Sequence, residues 1–295
     1  MDTQLASVIV SFMSGVVTGA LVTYFRHWLA RRREAESRQF EETKERERLR
    51  RDHYSRALEY HRTGESLRGC DLASQDLAGL YLGKADLQRA ILSKAELSGA
   101  NLEDTNLIGA DLQEANLRGA NLKKAALGDA NFQKAVLRDA NLQGADLGGA
   151  DLEGADLTNA ILQGANLSWA RLHSANLPGA NLKGANLRDA DLEQADLAGV
   201  NLGGADMTEA RFQGANLRDA SFKEANLDRA SFQNANLQGA ILKEANLGDV
   251  NLEGANLRGA NLKSANLGGV RLRKAELDDS TAMPKGWEDI VASRP

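Results

Sequence analysis

Ala115-Asn116-Leu117-Arg118-Gly119-Ala120-Asn121-Leu122-Lys123-Lys124 is two turns of a five-residue unit, Ala-(Asn/Asp)-Leu-x-x. Working outward from it in both directions, every fifth residue from Leu67 to Leu277 is Leu, Phe or Met, which makes 43 consecutive units without a break in register. A helix needs apolar residues every three to four positions and a strand every two, so a period of five fits neither element alone. It fits a short extended piece followed by a bend, repeated as a solenoid.

Within the extended piece, residues two apart share a face. Ala and Leu therefore point inward and the Asn or Asp between them points outward. Asn and Asp suit that place because their short side chains bond nearby backbone and stabilise a turn. The last two residues form a corner, and Gly is frequent at the second of them (Gly99, Gly109, Gly119, Gly144, Gly149), where it supplies a φ that other residues resist. The expected interior is a column of Leu flanked by Ala, each buried Leu contributing ~1.5–3 kcal/mol before entropy is subtracted. Val200, Val250, Val270, Thr105 and Cys70 take the small inward site. Phe212 and Phe232 are twenty residues apart and should stack, with Phe222 on another side. A filled tube leaves no room for a ligand or cofactor.

These repeats resemble the pentapeptide repeat family over roughly residues 63–280. The resemblance implies an all-β solenoid, a right-handed quadrilateral parallel β-helix with four units per coil. The units would then make between ten and eleven coils, stacked ~4.8 Å apart into a rod roughly 50 Å long. Some members, of the quinolone-resistance type, present an acidic duplex-like rod to DNA gyrase, so the family also implies a DNA-mimic modulator of gyrase or topoisomerase as the alternative function. Its abundance in cyanobacteria points, by resemblance alone, to a photosynthetic or envelope membrane.

The chain has 295 residues, a net charge of −5, one Cys and four His. Cys70 falls at an inward repeat position and reads as a small buried hydrophobe. His27, His53, His61 and His173 show no metal-ligand spacing. No Gly-rich phosphate loop opens a helix, and the many carboxylates lie on flat outer faces. These readings point to a non-enzymatic protein with no catalytic residue, no cofactor and no metal.

Ahead of the repeats, Leu5 to Phe25 is a 21-residue run without a charge. As a helix it would span ~31 Å, close to the hydrocarbon thickness of a bilayer. Arg26 and Arg31-Arg32-Arg33 follow it, so the positive-inside rule places the short N-terminus outside and the repeats in the cytoplasm. Tyr24 and Trp28 stand where interfacial aromatics belong. Residues 1–29 are thus expected to be a single-pass transmembrane helix with its flanks. Ser11, Gly15 and Gly19 belong to a small-residue stripe that would let two such helices pack, giving self-association.

Residues 30–62 carry eleven Lys/Arg and eight Asp/Glu, with Glu34/Arg38, Glu42/Arg46 and Glu47/Arg51 four apart. The segment reads as a charged helical connector ~50 Å long if unbroken. Its alternating signs favour a solvated spacer over a nucleic-acid arm, while its first arginines could meet anionic lipid. It should cover the N-terminal end of the solenoid. Residues 281–295 form a tail in which Trp287, Ile290 and Val291 could cover the other end.

With the interior filled, function falls to the outer faces. Summed along twenty-residue columns, their charges are −5, −4, −1 and +3. A DNA duplex carries about one charge per 1.7 Å, far more than this, so mimicry and nucleic-acid partners are disfavoured. The positive side carries Lys183, Lys223, Lys243 and Lys263, with Ile161, Ile241 and Tyr81 also pointing outward there, and Trp169 stands at a corner. This is the candidate docking face. The expected function is a rigid scaffold that presents flat faces to an unidentified protein partner at the lipid bilayer.

Overall fold

The structure, a computed structural model, describes residues 19–287. It divides into two units, residues 1–51 and 52–295. One helix, α1, runs Gly19–Thr63. It thus begins earlier than the expected connector and ends one residue beyond it. In the first unit most of the described side chains, from Arg26 on, are exposed, and charge pairs link successive turns: Arg32 bonds Glu36 at 2.9 Å and Arg38 faces Glu34 at 3.8 Å. Each such exposed pair contributes only ~0.3–0.5 kcal/mol. Trp28 lies 5.6 Å from the Arg32 guanidinium, a cation–π distance. Ser11 and Gly15 lie outside the described residues, as do Ile290 and Val291, and Gly19 is the first residue of α1. Among the described residues no helix is long and apolar enough to cross a membrane, and residues 5–18 of the expected span lie outside that set.

The second unit is a parallel β-helix. Single bridges join each unit to the one twenty residues on, from Asp71↔Ile91 through Asn256↔Glu276, so four units complete a coil. The unit quoted at the outset shows why the motif has its composition. Asn116 N donates back to Ala95 O at 3.0 Å, while Leu117 N and Gly119 N donate forward to Val136 O and Arg138 O at 2.7 and 2.8 Å. Ala120 N closes the turn onto Leu117 O at 3.0 Å. The remaining amide, Arg118 N, is bonded by Asn116 Oδ1 at 3.1 Å. Asn or Asp is therefore the residue that completes the unit's hydrogen bonding, which backbone partners alone leave one short.

The turn's third residue carries a positive φ throughout, as a type II turn requires. Gly is frequent there but not required: Lys124, Asp139, Trp169 and Glu244 adopt φ of 56°, 58°, 62° and 62°. Three bonds to neighbouring coils and one across the turn hold that conformation against its intrinsic cost of ~1–2 kcal/mol.

Leu and Ala fill the interior at 0–1% exposure along nearly the whole column. Phe212 stacks on Phe232 with centroids 4.6 Å apart, and Phe222 meets Phe232 edge-on at 5.9 Å. Cys70 is buried, and that burial pushes its thiol pKa up, with Arg56 pulling weakly the other way.

Both ends of the column are covered. The last turns of α1 lie on the first coil: Ala57 is 2% exposed, Tyr54 donates to Asp76 O at 3.1 Å, and Asp71 N donates to His53 Nδ1 at 3.0 Å. Gly64, with φ of 64° and its N–H on Tyr60 O at 2.8 Å, stops the helix and turns the chain into the first coil. At the other end the register slips by one residue. Ala282, not Thr281, bridges Asn261, twenty-one residues away. The extra residue loops out around Asp278, whose carboxylate accepts bonds from Ser280, Gly259 N and Thr281. Met283 and Trp287 pack against the column beyond it.

Candidate functional site

Two rows of outward side chains are built into the coils, and their chemistry follows from the units. In the Asn/Asp row, Oδ1 is committed to its own turn, so an Asn has Nδ2 left to donate. It does so to the preceding coil: Asn166 to Asp146 at 2.7 Å and Asn186 to Asn166 at 2.9 Å. Asn226, Asn246 and Asn266 continue from Asp206 at 3.1, 2.9 and 2.8 Å. A second series runs Asp196, Asn216, Asn236, Asn256. An ionised Asp can only accept, so it can begin such a ladder and cannot continue one. These ladders were missed in the sequence; the signal is Asp followed by Asn at twenty-residue spacing.

The candidate docking face resolves into two clusters. Lys223, Ile241, Lys243 and Lys263 occupy three successive coils, while Ile161 and Lys183 sit together on two coils farther back. Ile161 and Ile241 are each 42% exposed and four coils apart, ~19 Å at strand spacing. They do not form one patch. Lys223 pairs with Glu224 at 3.0 Å and Lys243 with Glu244 at 3.1 Å, so two of the positive charges in this cluster are compensated locally. The hydrogen bond that Lys223 donates to Glu224, with the charges of Glu224 and Glu244, raises its pKa and keeps it protonated. Trp169 lies on the adjoining side, 67% exposed, in the positive-φ corner position. Tyr81 is likewise exposed, against Gly83 near the N-terminal end.

The sequence reading found no metal-ligand spacing for His173. The coil register supplies one: Asp191 and Glu193 lie eighteen and twenty residues on and come beside it, with one ligand atom of each within 4.8 Å of the others. A hollow of about 400 Å³ lies against the C-terminal segment, between Leu277, Asp278, Met283 and Trp287.

Family models described as pentapeptide repeats match residues 66–104, 100–139, 135–173 and 165–204, and one described as a pentapeptide repeat region matches residues 205–281. A comparison with curated proteins found no match. Among solved structures, the chain is similar to HetL, a pentapeptide repeat protein involved in heterocyst differentiation regulation from the cyanobacterium Nostoc. It is 35% identical over 74% of this chain and 92% of that one, with a TM-score of 0.28. It is similar to Rfr23, a pentapeptide repeat protein from the cyanobacterium Cyanothece, at 36% identity over 43% and 63% of the two chains and a TM-score of 0.24. QnrB1, a plasmid-mediated fluoroquinolone resistance protein, is 20% identical over 70% of this chain and 93% of its own, with a TM-score of 0.32. The unbroken five-residue register, the twenty-residue bridging and the matched models together establish that the chain belongs to the pentapeptide repeat family.

Proposed function

We propose that this protein is a non-enzymatic scaffold, anchored in a membrane by its N-terminal segment and presenting the outer faces of its β-helix to a protein partner in the cytoplasm. The observation that carries the reading is the filled column. With Leu and Ala at 0–1% exposure, the interior offers nothing to a substrate, and recognition is left to side chains outside. The cluster of Lys223, Ile241, Lys243 and Lys263 is the face proposed for docking. It combines a half-exposed apolar side chain with charges arranged in a fixed order on successive coils. The anchor rests on the uncharged run Leu5–Phe25 and the arginines that follow it.

A duplex mimic needs a concentrated negative field. The acidic faces here are interleaved with cations: Arg138 pairs Asp156 at 3.3 Å, Arg188 pairs Asp206 at 3.4 Å and Arg258 pairs Glu276 at 3.5 Å. The scaffold reading is tested by separating membranes from soluble protein for the full chain and for a chain lacking residues 1–29, with protease added to intact cells and to opened ones. Full chain in the membrane fraction, with repeats cut only in opened cells, is expected. Full chain in the soluble fraction would remove the anchor from the account.

A further inference from the structure

Two rows of charged side chains run side by side over the face centred on Leu172 and Leu192. One reads Asp151, Arg171, Asp191, Arg211 on successive coils, and the other Glu153, His173, Glu193, Gln213. Arg171 bonds Asp151 at 2.9 Å and Glu153 at 3.0 Å, and Arg211 makes the equivalent pair with Asp191 and Glu193. Each guanidinium thus spans one acidic pair on the preceding coil. Four carboxylates and two guanidiniums leave two negative charges in excess, and His173 stands between the acidic pairs.

We propose that His173, Asp191 and Glu193 form a binding site for a borderline divalent transition-metal ion such as Zn²⁺, with water completing its shell. The donor set is the first argument. One imidazole nitrogen with two carboxylate oxygens suits Zn²⁺, Ni²⁺ or Cu²⁺, whereas Mg²⁺ and Ca²⁺ take shells of oxygen. Geometry is the second. The three ligand atoms already lie within 4.8 Å of one another, and all three residues are partly buried. Ligands at ~2.0–2.2 Å from Zn²⁺ stand somewhat closer together than that, so small rotamer changes close the site. Rigidity is the third. Leu172 N donates to Asp191 O at 2.6 Å and Ser174 N to Glu193 O at 2.9 Å, which fixes the two coils that supply the ligands. Asp191 Oδ1 accepts Glu193 N at 3.1 Å, which orients that carboxylate, and Oδ2, 3.7 Å from the Arg211 guanidinium, is the oxygen the ion takes over.

Arg211 is the built-in competitor. Its side chain is 53% exposed, and an exposed ion pair is a weak rival to a coordinated dication. The ion displaces the guanidinium from Asp191 and Glu193 toward solvent. Removing Arg211 should therefore strengthen the site, while dependence on His173 separates it from a nonspecific attraction of cations to the freed carboxylates. This proposal is independent of the scaffold reading and of the anchor.

The test is calorimetric titration of Zn²⁺ into the purified, tag-free full chain, alongside His173→Ala and Arg211→Gln. The expected result is one Zn²⁺ per chain at this site. His173→Ala should weaken it by at least the ~10–100-fold that loss of an outer-shell partner costs. Arg211→Gln should tighten it several-fold, and excess Mg²⁺ should leave it unchanged. Co²⁺ absorption, present in the wild-type chain and lost in His173→Ala, gives a second readout. Undiminished Zn²⁺ binding by His173→Ala would overturn the proposal, as would absence of binding by the wild-type chain or weaker binding by Arg211→Gln. Both substitutions are on the outer face, and an unchanged circular dichroism spectrum checks that the coils remain folded.

Discussion

Replacing Asn226 by Asp should destabilise the coils around it by about 2–4 kcal/mol at neutral pH, although the two side chains have nearly the same shape. Asn226 Nδ2 donates to Asp206 Oδ1 at 3.1 Å and to Thr208 Oγ1 at 2.9 Å, while its Oδ1 accepts Asn246 Nδ2 at 2.9 Å. The substitution removes the donor, and each lost bond costs ~1 kcal/mol net. It also sets a second carboxylate beside Asp206. At ~4 Å, two like charges repel by ~1 kcal/mol in water and up to ~4 kcal/mol at an effective dielectric of 20, and the partial exposure of both side chains keeps the cost near the lower figure. Burial pushes the Asp206 pKa up, but the Thr208 hydroxyl and amide, Arg188 and Asn226 outweigh it, so the net shift is downward. A depressed native pKa means that Asp206 contributes stability above the ordinary carboxylate range and loses it as pH falls through its native value. The repulsion in Asn226→Asp needs both groups ionised, so the deficit should shrink as pH falls through that range. The reciprocal change, Asp206→Asn, should be nearly neutral, within ~1 kcal/mol. It forfeits the exposed Arg188 pair, worth ~0–1 kcal/mol, and gains a donor that can reach Asn186 and join two ladders into one. Thermal unfolding followed by circular dichroism gives the overall effect. Amide exchange at residues 206–246 gives the local one, because repeat arrays open in parts. Equal effects of the two substitutions, or a larger loss from Asp206→Asn, would refute the polarity of the ladder.

Phe232→Ala removes both the stack on Phe212 and the edge contact with Phe222 and should cost ~3–5 kcal/mol, read as a lowered unfolding midpoint. Trp169→Gly should raise stability by roughly 1 kcal/mol, because it relieves a positive φ at a side chain that is 67% exposed; a lower midpoint would mean that Trp169 packs more than its exposure implies. Hydrogen bonds from Ser280, Gly259 N and Thr281 hold the Asp278 pKa down at about 2. Its hold on the last coil is therefore fully present above the ordinary Asp value of ~3.9 and lost as pH falls through about 2. Asp278→Ala should speed exchange of the Gly259 amide at neutral pH, with little change at the centre of the column.

The inward column was legible in the sequence because inward positions, with exceptions such as Gln75, are occupied by Leu, Phe, Met, Ala or a small substitute, and the period alone assigns the face. The stacking of Phe212 on Phe232 followed from the same arithmetic. What escaped were contacts between outward side chains on different coils. Asn166 and Asn186, or His173 and Glu193, meet only once the coil length is applied to the outer columns as it was to the core. The corner was legible too: local preference favours Gly there, and the coil-to-coil bonds impose the same positive φ on Lys, Glu and Trp where Gly is absent. The one-residue slip at Ala282 is a tertiary feature, set by how Asp278 closes its loop, and no local pattern announces it. The proposed docking side was drawn as one column of lysines; the structure divides it by distance and pairs two of its members with glutamates.

Whether an anchored β-helix offers an outer face to a protein partner is decided by in-cell crosslinking, with photoreactive residues placed at Ile241 and, for comparison, on the opposite side of the coil at Gln233, in the full chain and in a chain lacking residues 1–29. A discrete crosslinked membrane protein is expected from position 241 of the full chain, absent from position 233 and lost on deletion of the anchor. Gyrase subunits captured equally by the anchored and deleted chains would contradict it and make the β-helix a nucleic-acid mimic.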